Sequence, residues 1–314
     1  MRLTSNLVVT KPQITNQCPA EDEPRPPKIS AVIKVRNEAG QIEACIKSLE
    51  GFATEIIVVD DESTDTTAAL AAQHGARVIP VKRGDQCMDT LDVIGFHATA
   101  GDWLLRLDAD ERMVPTLAGK LKEIARSGSY DAVRYARKNI MFGAWARHGG
   151  WFRSHMTFFR RSAWDGVSPA RPHTPVGVSG RMLFLPEKEE FATIHFDYLE
   201  VHEFVLRSLW KYSLTDAKER YLVGQRFSPF ALLWRPLRSF LGHCVIRQGF
   251  RDGNRGLILA GLLAAYDFCI QANLWDIGRR CETHAEIQER QSVPPMASSL
   301  ETSAPLRATD GMTH

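Results

Sequence analysis

Between residues 29 and 107 short apolar runs alternate with stretches of helical spacing. Ile29 to Val35, ISAVIKV, reads as a strand buried on both faces. A turn follows at Arg36-Asn37-Glu38-Ala39-Gly40, and Ile42, Cys45, Ile46 and Leu49 then recur as one face of a helix over 41–49. A second strand is predicted over 55–59, an alanine-rich helix over 66–74 closed by Gly75, and a third strand over 77–81. A helix over 89–99 leads into the apolar run Trp103 to Leu107, which Arg106 interrupts. An amphipathic helix over 115–126 turns Leu117, Leu121 and Ile124 inward, and a strand over 130–135 follows. Strand–helix alternation with continuous apolar strands implies an α/β fold, a mostly parallel sheet covered by helices on both faces.

The polar residues gather where strands end: Arg36-Asn37-Glu38 after the first, Asp60 to Asp65 after the second, and Asp108-Ala109-Asp110-Glu111 after the fourth. Carboxylates this close repel one another and resist burial, and a hard divalent cation resolves that conflict. One such cluster reads equally well as a solvated turn. Three on the edge where open α/β sheets bind ligands favour a nucleotide and metal site.

Beyond 139 the chain becomes glycine-rich, with Trp145, His148, Trp151, Phe152, His155, Phe158 and Phe159 suited to a sugar-binding wall or to the core. Residues 198–221 read as a helix, and 228–270 interleave Phe230, Leu233, Trp234 and Leu237 with Arg235 and Arg238, the pattern of a helix lying on a lipid surface or packed on a domain. Expected divisions are a disordered tail over 1–27, a main domain over 28–225, an amphipathic helical region over 226–282 and a second tail over 283–314. A formal charge of +2 gives no argument for nucleic acid. The six cysteines form no metal-ligand or C-x-x-C spacing and read as reduced thiols. The most apolar run, 257–270, reads as too short to span a bilayer and broken by Asp267, so a soluble or peripheral protein is expected.

The segments ISAVIKVRNEA (29–39), EIIVVDDESTDTT (55–67) and GDWLLRLDADE (101–111), in this order, resemble the family 2 glycosyltransferases with the GT-A fold. HFDY (195–198), Lys211-Tyr212-Ser213 and GFRDGNRGLILAGLLAAYDF (249–268) are similar to the branch that includes lipopolysaccharide core glucosyltransferases, so the resemblance spans about residues 29 to 275. It implies a Rossmann-like GT-A sheet with a C-terminal helical extension, and an inverting transfer from a UDP-sugar to a glycolipid or cell-envelope glycan. Lys34, Arg36, Asn37, Glu38, Asp60, Asp61 and Asp108 would hold the donor. Asp108, Asp110 and His195 would hold Mg²⁺ or Mn²⁺. The family's His-Glu base pair falls on His173-Thr174, which leaves His173 and Asp165 as candidates for the base. A second departure is Asp92-Val93, where relatives carry a basic and an amide residue. The expected location is cytoplasmic, at the inner membrane face, with peripheral contact through 229–270 and no nucleic acid partner. Two other classes compete. A sugar-nucleotide binding protein without turnover is motivated by Thr174; a nucleotidyltransferase would need a glycine- and basic-rich loop that KVRNEAGQ does not supply.

Overall fold

The computed structural model describes residues 25–82, 84, 88, 90–167 and 176–292, with side-chain surroundings as far as 281. Of these, residues 25–140 and 151–197 form one compact unit, and 141–150 with 198–292 form another.

The first unit is built on a mixed sheet. Strands β1 (Ile29–Val35), β2 (Glu55–Asp61), β3 (Arg77–Val81) and β4 (Trp103–Asp108) run parallel in the order β3-β2-β1-β4. After β4 the chain turns back into the two-residue β5 (Glu111–Arg112), and the long β6 (Ala132–Met141) follows. A short β7 (Ala144–Trp145) belongs to the second unit. Strand β8 (Arg153–Arg160) inserts antiparallel between β4 and β6, β9 (Met182–Phe184) lies parallel to the start of β6, and β10 (Ala192–Phe196) lies parallel to its end with β5 antiparallel outside it. The parallel sheet expected from the sequence therefore holds for β1 to β4 and becomes mixed beyond.

Helices α1 (Ile42–Ser48), α2 (Thr67–Gln73), α3 (Thr90–Ala98) and α4 (Pro115–Ser127) cover the sheet. Side chains alternate along a strand, so each strand feeds two cores. Ala31, Ile33 and Val35 of β1 join Leu105 and Leu107 of β4 beneath α1 and α4, whereas Val32 and Leu104 pack with Leu91 and Phe96 of α3 on the other face. By the same alternation Lys34, Arg106 and Asp108 face α3.

In the second unit α5 (Val201–Phe204), a π-helical stretch (Val205–Tyr212) and α6 (Ser213–Leu222) occupy most of the span read from sequence as one helix. Then come α7 (Pro229–Leu241) and α8 (Gly253–Ser292), on which both α6 and α7 pack. Two expectations change here. Helix α8 continues past 282 because its Ala, Glu, Gln and Arg residues are good helix formers. The helical run Gly249–Cys281 is also long and apolar enough to cross a membrane by length and composition, since neutral residues flanking 257–270 lengthen it and one aspartate does not interrupt it. Of the tails expected over 1–27 and 283–314, residues 1–24 and 293–314 lie outside the described residues.

The GFRDG motif ties the loop 141–150 to this unit. Asp252 accepts from the His148 N–H (2.8 Å) and pairs with His148 Nδ1 (2.6 Å), while the Gly149 N–H donates to Arg247 O (2.9 Å). The crossing is so close that a Cβ at Gly256 would stand 1.8 Å from the Gly249 carbonyl oxygen. Backbone cannot yield cheaply there, so Gly256→Ala should lower the melting temperature by several degrees, equivalent to about 1–3 kcal/mol. Differential scanning calorimetry against Gly261→Ala, where a Cβ meets nothing within 4 Å, checks this.

Candidate active site

Parallel pairing sets the carboxyl ends of β1 and β2 side by side, with Val35 opposite Asp60. The loops that follow clasp each other. Arg36 Nη1 donates to Asp61 Oδ2 at 3.1 Å, and the Asn37 N–H donates to Ser63 Oγ at 2.9 Å. Asn37 Oδ1 accepts from the Thr64 N–H at 2.8 Å, and the Glu38 N–H donates to Thr67 Oγ1 at 2.8 Å. Asn37 sits at φ +58°, a left-handed conformation that asparagine tolerates better than most residues. Asp61 is buried and answered by Arg36. Buried Asp60 accepts from the Ser63 N–H through Oδ2, but its Oδ1 accepts no hydrogen bond.

One strand over, Lys34 and Asp108 are direct partners across β1 and β4. Asp92, buried in the first turn of α3, takes Lys34 Nζ at 3.0 Å and Arg106 Nε at 2.9 Å on the same oxygen. The position where a basic residue was expected thus carries the acid, and the cations come from the strands instead. Burial raises the Asp92 carboxyl pKa further than Lys34 and Arg106 lower it. Burial also acts to raise Asp108, but there Lys34, Arg137, Arg106 and His195 prevail and hold it well below the usual carboxylate range.

The Ala109-Asp110 turn reverses the chain and sets Glu111 opposite His195 across β5 and β10. Glu111 is buried, takes Arg137 Nε at 2.6 Å on one oxygen and accepts from the Asp108 N–H at 3.2 Å on the other. Arg137 also brings Nη2 to 3.6 Å from Asp108 Oδ2. His195 is held from both sides: Nδ1 lies 2.7 Å from Asn139 Oδ1, and Nε2 lies 3.4 Å from Asp110 Oδ2. The Asn139 amide donates Nδ2–H to Trp151 O (2.6 Å), which leaves its oxygen to accept from His195 Nδ1–H. Nε2 is thereby directed at Asp110. Burial lowers the His195 pKa, yet Asp110 and Glu111 raise it by more.

Asp108 Oδ1 and Asp110 Oδ1 are buried and accept no hydrogen bond, and no three His, Cys, Asp or Glu side chains among the described residues converge to hold a metal by themselves. The two unmet oxygens fit a hard cation that takes one or two carboxylates and completes its shell with substrate phosphates. The charges agree. Asp92, Asp108, Asp110 and Glu111 are met by the permanent cations Lys34, Arg106 and Arg137, so a diphosphate would need its own divalent counterion.

The structure brings together Lys34, Asp108, Asp110 and His195, and beside them Arg36, Asn37, Glu38, Asp60 and Asp61. Asp165 lies elsewhere in the described geometry, in an exposed turn where Oδ1 accepts from the Val167 N–H at 2.9 Å. His173 and Thr174 lie outside the described residues. Of the supposed aromatic wall, Phe158 and Phe159 are fully buried core, Phe158 stacking on Trp103 at 4.7 Å between centroids. Arg137 and Asn139 escaped the sequence reading because the strand was ended at Tyr135. Half-buried His155 is depressed to about 4 by burial and by Arg137, Arg134, His195 and Arg106. Its folded value lies below the unfolded one, so protonation favours unfolding and stability is lost as pH falls from about 6.5 toward about 4. In urea titrations across that window, His155→Gln should show the shallower decline.

Residues 30–179 match the glycosyl transferase family 2 model. That stretch carries a family 2 glycosyltransferase domain, and the protein is a glycosyltransferase. It is 29% identical to an uncharacterized glycosyltransferase of Rickettsia felis over 79% of this chain and 89% of that one. It is 28% identical to the lipopolysaccharide core biosynthesis glycosyltransferase LpsC of Rhizobium meliloti over 79% of this chain and 92% of that protein. Among solved structures, glucosyl-3-phosphoglycerate synthase from Mycobacterium tuberculosis in complex with Mn²⁺, UDP and glucosyl-3-phosphoglycerate aligns at 27% identity and a TM-score of 0.30, over 37% of this chain and less than half (45%) of that one.

Proposed function

We propose that the protein is an inverting, metal-dependent glycosyltransferase that moves a sugar from a UDP-sugar to a glycolipid or cell-envelope glycan at the cytoplasmic membrane face. The observation that carries this reading is the set of buried carboxylate oxygens without hydrogen-bond partners, Asp60 Oδ1, Asp108 Oδ1 and Asp110 Oδ1, at the carboxyl ends of parallel strands. An unmet buried acceptor costs about 1–3 kcal/mol, a cost that ligand binding relieves.

Asp60 would accept from the uracil N3–H or a ribose hydroxyl, beside Arg36, Asn37, Glu38 and Asp61. Asp108 and Asp110 would hold Mn²⁺ or Mg²⁺, with His195 Nε2 kept in place by Asn139. When bound, the metal supplies Lewis-acid neutralisation of the charge gathering on the departing diphosphate. Lys34, released from its shared contact with Asp92 and Asp108, offers a mobile ammonium to the same phosphates. The acceptor hydroxyl attacks the anomeric carbon opposite the leaving UDP and gives its proton to a base, for which His173 remains the candidate from sequence.

A panel of nucleotide sugars tested with Mn²⁺ for thermal stabilisation and for UDP release checks this proposal. UDP-sugars should raise the melting temperature and release UDP slowly. Equal stabilisation with and without chelator would refute metal dependence, and stabilisation by no nucleotide sugar would refute the donor site.

A further inference from the structure

Helix α7 carries its apolar residues on the wrong side for a helix of a water-soluble bundle. It packs on α8, yet Phe230 (72% exposed), Leu233 (74%), Trp234 (47%), Leu237 (50%) and Leu241 (42%) point away from the protein. Their spacing of three or four residues puts them on one stripe. Phe230 and Trp234 form a stacked pair at 6.2 Å, so the ridge has a preformed aromatic centre. Just past the helix, Val245, Ile246 and Phe250 are exposed as well. A contiguous apolar surface of this kind marks an interaction site.

The surrounding charge selects the partner. From residue 226 to 255 stand Arg226, Arg235, Arg238, Arg247, Arg251 and Arg255 against a single acid, Asp252, which is engaged by His148. Among the described residues no carboxylate pairs with Arg235 or Arg238, which are not far from the ridge on the same helix. An aromatic and aliphatic stripe bordered by arginines matches an interface of buried acyl chain and anionic headgroup. A second copy of this surface would bring arginines against arginines.

We propose that the outer face of α7 docks on an anionic lipid bilayer as a peripheral contact. This inference rests on the membrane-face reading above and names the surface responsible. The test is flotation of the full-length protein with vesicles of phosphatidylglycerol and phosphatidylethanolamine, or of phosphatidylcholine alone, at low and high salt. Wild type should float with the anionic vesicles at low salt and be released by high salt. Leu233→Glu/Trp234→Glu and, separately, Arg235→Glu/Arg238→Glu should each lower partitioning about tenfold or more. UDP release from soluble donor should be unchanged in both, since neither variant alters a residue assigned to the site. Equal flotation of the variants, or failure of wild type to float, overturns the proposal. So does retention through both high salt and an alkaline carbonate wash, which would mean insertion through α8, or a dimer in light scattering that Leu233→Glu/Trp234→Glu dissolves. Flotation without any UDP release would leave the docking face standing and refute the transferase reading instead.

Discussion

Asp110→Ala is expected to lower UDP release from the donor by about 10²–10³-fold while leaving the melting temperature near that of wild type. The asymmetry follows from what the side chain touches. Among the described residues its Oδ1 accepts no hydrogen bond, and its Oδ2 meets His195 Nε2 at a loose 3.4 Å. Removing it costs the fold little and deprives the proposed cation of one ligand. Asp108 is a poorer test, because it lies between Lys34 and Arg137 and its loss would disturb both. Mn²⁺ binding in the presence of UDP, followed by electron paramagnetic resonance, should weaken in parallel. Activity within a few-fold of wild type, in buffer and chelator alike, would remove the metal from the scheme.

The largest effect on stability is expected at Arg137. Its guanidinium is the cation bound to buried Glu111 and stands near Asp108, so Arg137→Ala strands a carboxylate that is 2% exposed. Breaking a buried pair from one side costs about 3–5 kcal/mol, a large part of the stability of a typical domain. Glu111 is already raised by burial against the pull of Arg137, so without that cation it should rise further, and the defect should grow as pH rises. Urea denaturation at neutral and mildly acidic pH measures both. Arg137→Met/Glu111→Leu, which removes the two charges together, should recover most of the loss; a single variant within about 1 kcal/mol of wild type would show the pair to be dispensable.

How far this site was legible in the sequence depended on how local its causes are. The first strand was found at its observed bounds because ISAVIKV is continuous and apolar. The second was ended at Val59, yet it continues through Asp61, because pairing with β3 persists under side chains that look like loop residues. The acids at the strand ends were found because they are consecutive. The cations that balance them were not, since Lys34 meets Asp92 across 58 positions and Arg137 belongs to a strand whose R-K-N run resembles a turn. Arg106 looked like a flaw in an apolar run, and only the burial of Asp92 explains it. Asn139 could have been suspected from strand alternation, had β6 been carried past Tyr135.

The chain passes between its two compact units three times, at 140/141, 150/151 and 197/198. Neither is therefore a continuous piece of polypeptide, and no single cut yields either one whole. A fragment ending at 197 would keep the loop 141–150 but lose Asp252 and Arg247, which anchor it. A fragment beginning at 198 would leave Asp252 without the histidine that caps it. Gene-level shuffling of the helical portion onto another catalytic scaffold would have to transplant a ten-residue internal insert as well, so the two portions should have been inherited as one piece.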